Sequence, residues 1–315
     1  MSPQDAAPSS VPWVAYVCLA GSMFVVGAYV AFSKPLALIF PVFLLGCLRF
    51  GIGGLSVLHW LRKPATEPPL TMRLHWLIFL ESFIGSFLFT VFMVLGVSYS
   101  NAVAAGVIMS AIPAAIAVLS RLVLGEAIRP QVVLAILCAV FGIALLALAQ
   151  PDADQAQVGD AAQHWLGYAL LGGAVLCEAA YAVIGKQLTG SLSAKRISAL
   201  MNVWGFVLML PAGLWTARNF DFSAVSISMW GAMLLYGLAA SWTILLWMTG
   251  LRRVPASRAG VFTAMLPVGA ACVGVLALGE SFSRLHALAF GLALLGLVLA
   301  VWPGRASSAA RVLDQ

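Results

Sequence analysis

Charge is what this sequence has least of. Only 9% of its 315 residues are Asp, Glu, Lys or Arg, where a soluble domain carries about 25%. With 62% hydrophobic residues and a mean hydropathy of +1.01, that scarcity excludes a soluble globular domain. Histidine is also sparse: His59, His75, His164 and His286 sit near the ends of apolar runs, and none has metal-ligand spacing. The five cysteines (Cys18, Cys47, Cys138, Cys177 and Cys272) fall inside apolar runs and read as small buried residues, not as a disulfide framework. HExxH, Walker and paired intramembrane aspartate motifs are missing. An intramembrane enzyme or an ATP-driven pump therefore has no support, and no catalytic residue, metal or cofactor is expected. No basic residue precedes the first apolar run after "MSPQDAAPSS", so nothing there resembles a cleaved signal peptide.

What the chain does have is long apolar runs, about 18 residues or more, over nearly its whole length. The expected fold is an all-α membrane protein with ten transmembrane helices. The spans are expected near 11–32, 36–60, 75–98, 102–124, 131–149, 165–187, 197–217, 226–250, 257–278 and 286–302. Alternate connections differ in charge. Thirteen Lys or Arg residues fall on one side, with Arg62, Lys63, Arg121, Arg196, Arg252 and Arg258 among them, and only Lys34, Arg218 and Arg284 on the other. The positive-inside rule then puts both termini in the cytoplasm and the acidic linker 150–164 outside. Trp13, Trp60, Trp76, Trp165, Trp215, Trp230 and Trp302 lie near span ends as interfacial anchors. The net charge of +6 is thus explained by membrane orientation, and no nucleic-acid partner is expected.

The chain also repeats itself. "AAGVIMSAIPAAIAVLSRLVLGE" at 104–126 aligns without a gap with "RAGVFTAMLPVGAACVGVLALGE" at 258–280, and nine of 23 positions are identical. Composition alone would give roughly two or three. The first and sixth spans share Trp13/Trp165, Tyr16/Tyr168, Leu19/Leu171, Tyr29/Tyr181 and Lys34/Lys186, among others. The fifth and tenth share Ala135/Ala289 and Gly142/Gly296. Each repeat (1–149 and 165–315) holds five helices, so the second copy enters the membrane from the opposite face. Such an inverted repeat is how many secondary transporters alternate access.

Two five-helix halves, each with an Ala/Gly-rich fourth helix that carries a proline and ends in Leu-Gly-Glu, resemble the drug/metabolite transporter superfamily and, more narrowly, its EamA-type permeases. The resemblance implies an exporter whose cavity is lined by the first four helices of each half, with the fifth and tenth peripheral. The cargo it implies is a small molecule, such as an amino acid or another metabolite.

Within the repeated helix, Pro113 and Pro267 are candidate helix kinks that free the carbonyls of Met109 and Thr263. A kink facing a solvated cavity and a static packing kink both remain open. Gly125 and Gly279 suit left-handed C-caps. Glu126 and Glu280 are read as capping and interfacial residues, each meeting the positive end of the following helix.

Away from the span ends, Arg49, Glu81 and Glu178 are the charged residues within spans. Each must face the bundle interior, pair or titrate, because lipid exposure costs several kcal/mol. Depth permits an Arg49–Glu81 or an Arg49–Glu178 pair and does not choose between them. The stretch around Glu178, with Gly172, Gly173, Ala174 and Lys186, resembles the first helix of the small multidrug resistance exporters. That resemblance implies a site where protons and cationic substrate compete. Val26 at the equivalent place in the first repeat excludes a symmetric two-carboxylate mechanism. Helical spacing adds Tyr181 beside Glu178, and Met233, Tyr236, Ala240, Thr243 and Trp247 along one stripe of the eighth span. Gly46, Gly53, Ser56 and Trp60 share the side of Arg49, and the small residues there leave room around its guanidinium. The reading is an alternating-access exporter of an amino acid or related amphipathic compound. The alternative is a proton-coupled exporter of lipophilic cations, and a channel or receptor has no special support. Thirteen Arg against four Lys suggests a bacterial inner membrane. The expected partners are a small-molecule substrate, protons where transport is coupled to them, and the lipid bilayer, with monomer and dimer both compatible.

Overall fold

The computed structural model describes residues 12–65, 67–99, 108–149, 161–278 and 284–302. Helices are all of its regular structure among these residues. In chain order they are α1 (Trp13–Ile39), α2 (Val42–Val57) and α3, which has three parts, Met72–Ser82, a π-helical Phe83–Leu88 and Phe89–Ser98. Next come α4 (Ile112–Leu124), α5 (Pro130–Ala149), α6 (Ala161–Thr189), α7 (Ala194–Ala217) and α8 (Ile227–Leu251). The last two are α9, assembled from Ala256–Ala259, a 3-10 stretch Gly260–Ala264 and Met265–Leu278, and α10 (Arg284–Val301). Five segments are long and apolar enough to cross a bilayer: Val42–Leu61, Met72–Met93, Trp165–Thr189, Ala194–Ala217 and Ile227–Leu251. Shorter apolar helices flank them at Trp13–Tyr29, Ile112–Leu124, Pro130–Leu145 and Ala287–Val301.

The first boundary differs from the sequence expectation. The break falls at Phe40–Pro41, not at 32–36, because a residue before proline is pushed out of the α region. Phe40 is accordingly extended, at φ −94° and ψ 130°, and Pro41 caps α2.

Small residues set the helix contacts. A Cβ on Gly142 of α5 would lie 3.1 Å from the Ala289 carbonyl oxygen and 3.2 Å from the Ala293 nitrogen of α10. A Cβ on Gly296 of α10 would lie 2.9 Å from the Ala135 carbonyl oxygen and 3.4 Å from the Ala139 nitrogen of α5. Close approach at a glycine also joins α1 to α8 and α3 to α6: Gly250 lies on Leu19, and Gly96 on Leu171. Without a hydrophobic drive between helices in lipid, such close approach and buried polar contacts hold a bundle together. Polar contacts join α7 to α8: Asn202 accepts from Ser241 Oγ at 3.2 Å, and Ser198 Oγ donates to the Ser241 carbonyl at 3.1 Å. Trp13, Trp76, Trp165, Trp215 and Trp302 are exposed near helix ends, where the bilayer interface would lie.

Overpacking at the reciprocal contact has a defined cost. Gly142→Leu or Gly296→Leu is expected to destabilise the fold by about 1–3 kcal/mol, lowering the thermal unfolding midpoint in detergent. Gly291→Leu, on the same helix with nothing within 4 Å of its Cβ position, should leave the midpoint unchanged.

Candidate functional site

The site begins with broken helices. Ala111 ends a turn and α4 restarts at Ile112, with Pro113 in its first turn. In α9 the 3-10 stretch ends at Ala264, and Met265 opens a new helix with Pro267 in its first turn. First-turn amides have no intrahelical partner, so proline fits there without loss. These prolines therefore start helix segments and do not bend a continuous helix, contrary to the expectation of mid-helix kinks. The Thr263 carbonyl is not freed; it accepts the Met265 amide.

Gly125 closes α4 in the left-handed conformation, φ 68°, as a C-cap requires. Glu126, just beyond it, does not turn to the start of α5 as the sequence suggested. It crosses to α9, accepting from the Ala256 amide at 2.7 Å, the Ser257 amide at 2.9 Å and Ser257 Oγ at 2.7 Å. The reason is local: Pro255 at the N-cap of α9 has no side-chain acceptor, so the first amides need one from elsewhere. Gly279 and Glu280 lie outside the described residues.

Around Glu126, on the face of the bundle rich in basic residues, further polar contacts join distant parts of the chain. Glu67, from the α2–α3 connection, accepts from the Ser193 amide at 2.8 Å and pairs with Arg196 Nη1 at 2.8 Å at the start of α7. Lys186 donates to the carbonyls of Leu251 and Val254, each at 2.7 Å, closing the C-terminal end of α8. Arg258 donates to the Tyr16 hydroxyl at 3.0 Å, and the Tyr16 ring stacks on Phe262. Glu67, Glu126 and Arg258 each join the first half of the chain to the second. None of these partnerships was read from the sequence.

Deeper in the bundle lies a second polar group with the opposite character. The Arg49 guanidinium sits 4.6 Å from the Phe50 ring centroid and 5.9 Å from those of Tyr29 and Tyr236, within cation–π range. The two tyrosine rings meet edge-to-face at 5.3 Å. Glu178 and Tyr181 of α6 are half-buried, and Tyr29 and Tyr181 are each within electrostatic range of Glu178 and Arg49. Thr243 borders Tyr29, and its own hydroxyl donates to the Ala240 carbonyl. Neither expected ion pair forms: among the described residues, Arg49 has no carboxylate partner. Glu81 is wholly buried, with its carboxyl in the space beside Gly185 of α6 that Met248 and Leu251 of α8 also border, and both its oxygens lack hydrogen-bond partners.

The structure thus brings Arg49, Glu178, Tyr181, Tyr236 and Thr243 together and adds Tyr29. The signal for Tyr29 was its echo of Tyr181. Trp247 is 2% exposed and belongs to the apolar core against which Tyr181 packs. Gly46 and Gly53 do not make room for the guanidinium. Gly46 seats Met209, and Gly53 is filled by Ser241, Asn202 and the Gly237 carbonyl, because α7 and α8 cross α2 closely there.

Comparison with known proteins identifies the family. The EamA-like transporter family matches the chain twice, over residues 13–148 and 165–302. The chain belongs to that family. It is 33% identical over 294 residues to the uncharacterized transporter YetK of Bacillus subtilis (strain 168), covering 91% of this chain and 86% of that one. It is 24% identical over 224 residues to the uncharacterized transporter YyaM of the same organism, covering 69% and 70%. A solved crystal structure shares the fold at a TM-score of 0.73 and 19% identity, covering 95% of this chain and 99% of the other. This EamA-like protein is accordingly a multi-pass membrane transporter; the names of the family and its relatives indicate transport and not catalysis.

The Glu67 contact gives the EamA-like fold a pH signature. Burial pushes the Glu67 carboxyl up, but the Ser193 hydroxyl and amide and the Arg196 guanidinium pull it further down, to below the ordinary carboxylate value. A depressed folded-state value contributes stability above the unfolded value and loses it as pH falls through the folded one. Glu67→Gln should therefore be less stable than wild type at neutral pH. The gap should narrow on acidification below the ordinary carboxylate range, as thermal unfolding at stepped pH will record.

Proposed function

We propose that the protein is an alternating-access exporter of a small amphipathic metabolite, with a zwitterionic amino acid or a close relative as cargo. The observation that carries this reading is the unpaired Arg49 in an aromatic surround, with Glu178 nearby. A guanidinium committed to a carboxylate would be structural, whereas one left to aromatic faces is available to a substrate carboxylate. Glu178 then receives the ammonium group or, when the cargo has left, a proton. Tyr29, Tyr181 and Tyr236 flank the apolar part. For lipophilic cations, the second reading, an uncommitted Arg49 would be repulsive.

The mechanism we infer is rocking of two inverted five-helix halves, ten transmembrane helices in all, in a bacterial inner membrane with the basic face cytoplasmic. Supporting it are the double family match, the reciprocal Gly142 and Gly296 contacts, and the paired Gly250–Leu19 and Gly96–Leu171 contacts. The contacts of Glu67, Glu126 and Arg258 hold the cytoplasmic side closed in this conformation, and their loss would open it. Each crosses between the halves, so one rigid-body rotation breaks all three.

Proton flux in liposomes containing the purified protein tests this, with amino acids and quaternary cations added singly. An amino acid is expected to move protons in wild type and not in Glu178→Gln, and Arg49→Gln should abolish its saturable uptake. Proton movement with quaternary cations alone would select the second reading. Saturable counterflow without proton movement in either form would make the protein a facilitator and Glu178 structural.

A further inference from the structure

Glu81 has no place in the cavity cluster, yet it is the most isolated ionisable side chain described. It ends the first segment of α3, and the π-helical turn Phe83–Leu88 follows directly. Such π-turns recur at functional sites because they re-aim neighbouring side chains. Here the turn presses Gly85 onto the Tyr181 ring, where a Cβ would lie 2.6 Å from the ring carbon Cδ2.

Among the described residues, the surroundings of Glu81 hold no cation. On α6, a Cβ at Gly185 would sit 2.7 Å from Glu81 Oε1, so the glycine leaves the volume the carboxyl fills. The same point is 3.0 Å from Met248 Cε and 3.3 Å from Leu251 Cδ2 of α8, both apolar. Lys186, next along α6, is turned to the carbonyls at the end of α8. Arg196 of α7 is taken by Glu67. Tyr181 of α6 is the titratable group within electrostatic range of Glu81. An ionised carboxylate stripped of water, donors and counter-ion is very costly, so the cation that fits this volume is a proton.

Position gives the proton a route. Glu178, Tyr181 and Gly185 follow one stripe of α6, so Glu178 lies about 10 Å, two turns, from the glycine against which Glu81 packs. We propose that Glu81 is a second proton-binding site, set behind Tyr181 between the Glu178 cavity and the basic face. It holds a proton while that face is sealed and releases it there when the face opens; only an O–H bond breaks, and the carboxylate left behind is hydrated until it is reprotonated. As part of the transport cycle this rests on the proton-coupled reading of Glu178.

Infrared spectra of the full chain in an ester-free detergent test it, since at neutral pH the acid carbonyl band reports only protonated carboxyls. Wild type is expected to show such a band that Glu81→Gln removes. Gly185→Ala, which keeps the carboxyl but crowds it, should shift the same band. A band indifferent to both changes, or none at all in wild type, overturns the proposal. Glu178→Gln is recorded in parallel and judges the cavity site by its own band, so each assignment can fail alone.

Discussion

Every backbone amide and carbonyl in the hydrocarbon core must find its partner within the chain, because no water is there to supply one. That constraint shapes the helix ends and breaks. α9 opens behind a proline that offers no acceptor, and Glu126 comes from the other half of the chain to cap it. α8 ends in carbonyls that Lys186 collects. The restarts of α4 and α9 put Pro113 and Pro267 where no amide is needed. Between α7 and α8, Asn202 and Ser241 answer each other's polar atoms.

Against that background, the groups left unanswered stand out. On the basic face Glu67, Glu126, Lys186 and Arg196 are all engaged. Inside the bundle Arg49 lies among aromatic rings with its Nε unpartnered, and neither Glu81 oxygen has a hydrogen-bond partner. Single atoms of Arg196, Arg258 and Trp247 also lack partners, but Glu81 is the carboxyl with neither oxygen satisfied, and a buried unpaired charge is destabilising. The satisfied carboxylates Glu67 and Glu126 join the two halves of the chain, whereas the unsatisfied Glu81 lies within the bundle.

Much of the fold was legible because lipid imposes long apolar runs and a charge asymmetry on the sequence, and Gly125 announced its cap. Glycine pairs such as Gly142 and Gly296 were visible as echoes, and the reciprocal contact they make explains why they are kept small. Other features were hidden for physical reasons. Glu67 lies 126 residues from Ser193, and nothing in its local sequence names a partner so distant. Glu126 looked like the cap of the next helix because sequence shows neighbours, not the acceptor-poor helix across the bundle. The glycines beside Arg49 looked like space, but helix crossing filled them. The broken α4 and α9 were masked by a continuous apolar run, since a 3-10 turn and an α-helix share the same composition.

The central claim is that contacts across the basic face hold one of two packings of the halves. Spin labels at positions 63 and 253 on that face, and at 42 and 227 on the other, report it as distance distributions in a cysteine-free background in nanodiscs. The account predicts that replacing Glu67 and Glu126 together by Gln adds a longer distance on the basic face and a shorter one on the other. Distributions on both faces that match wild type would contradict it.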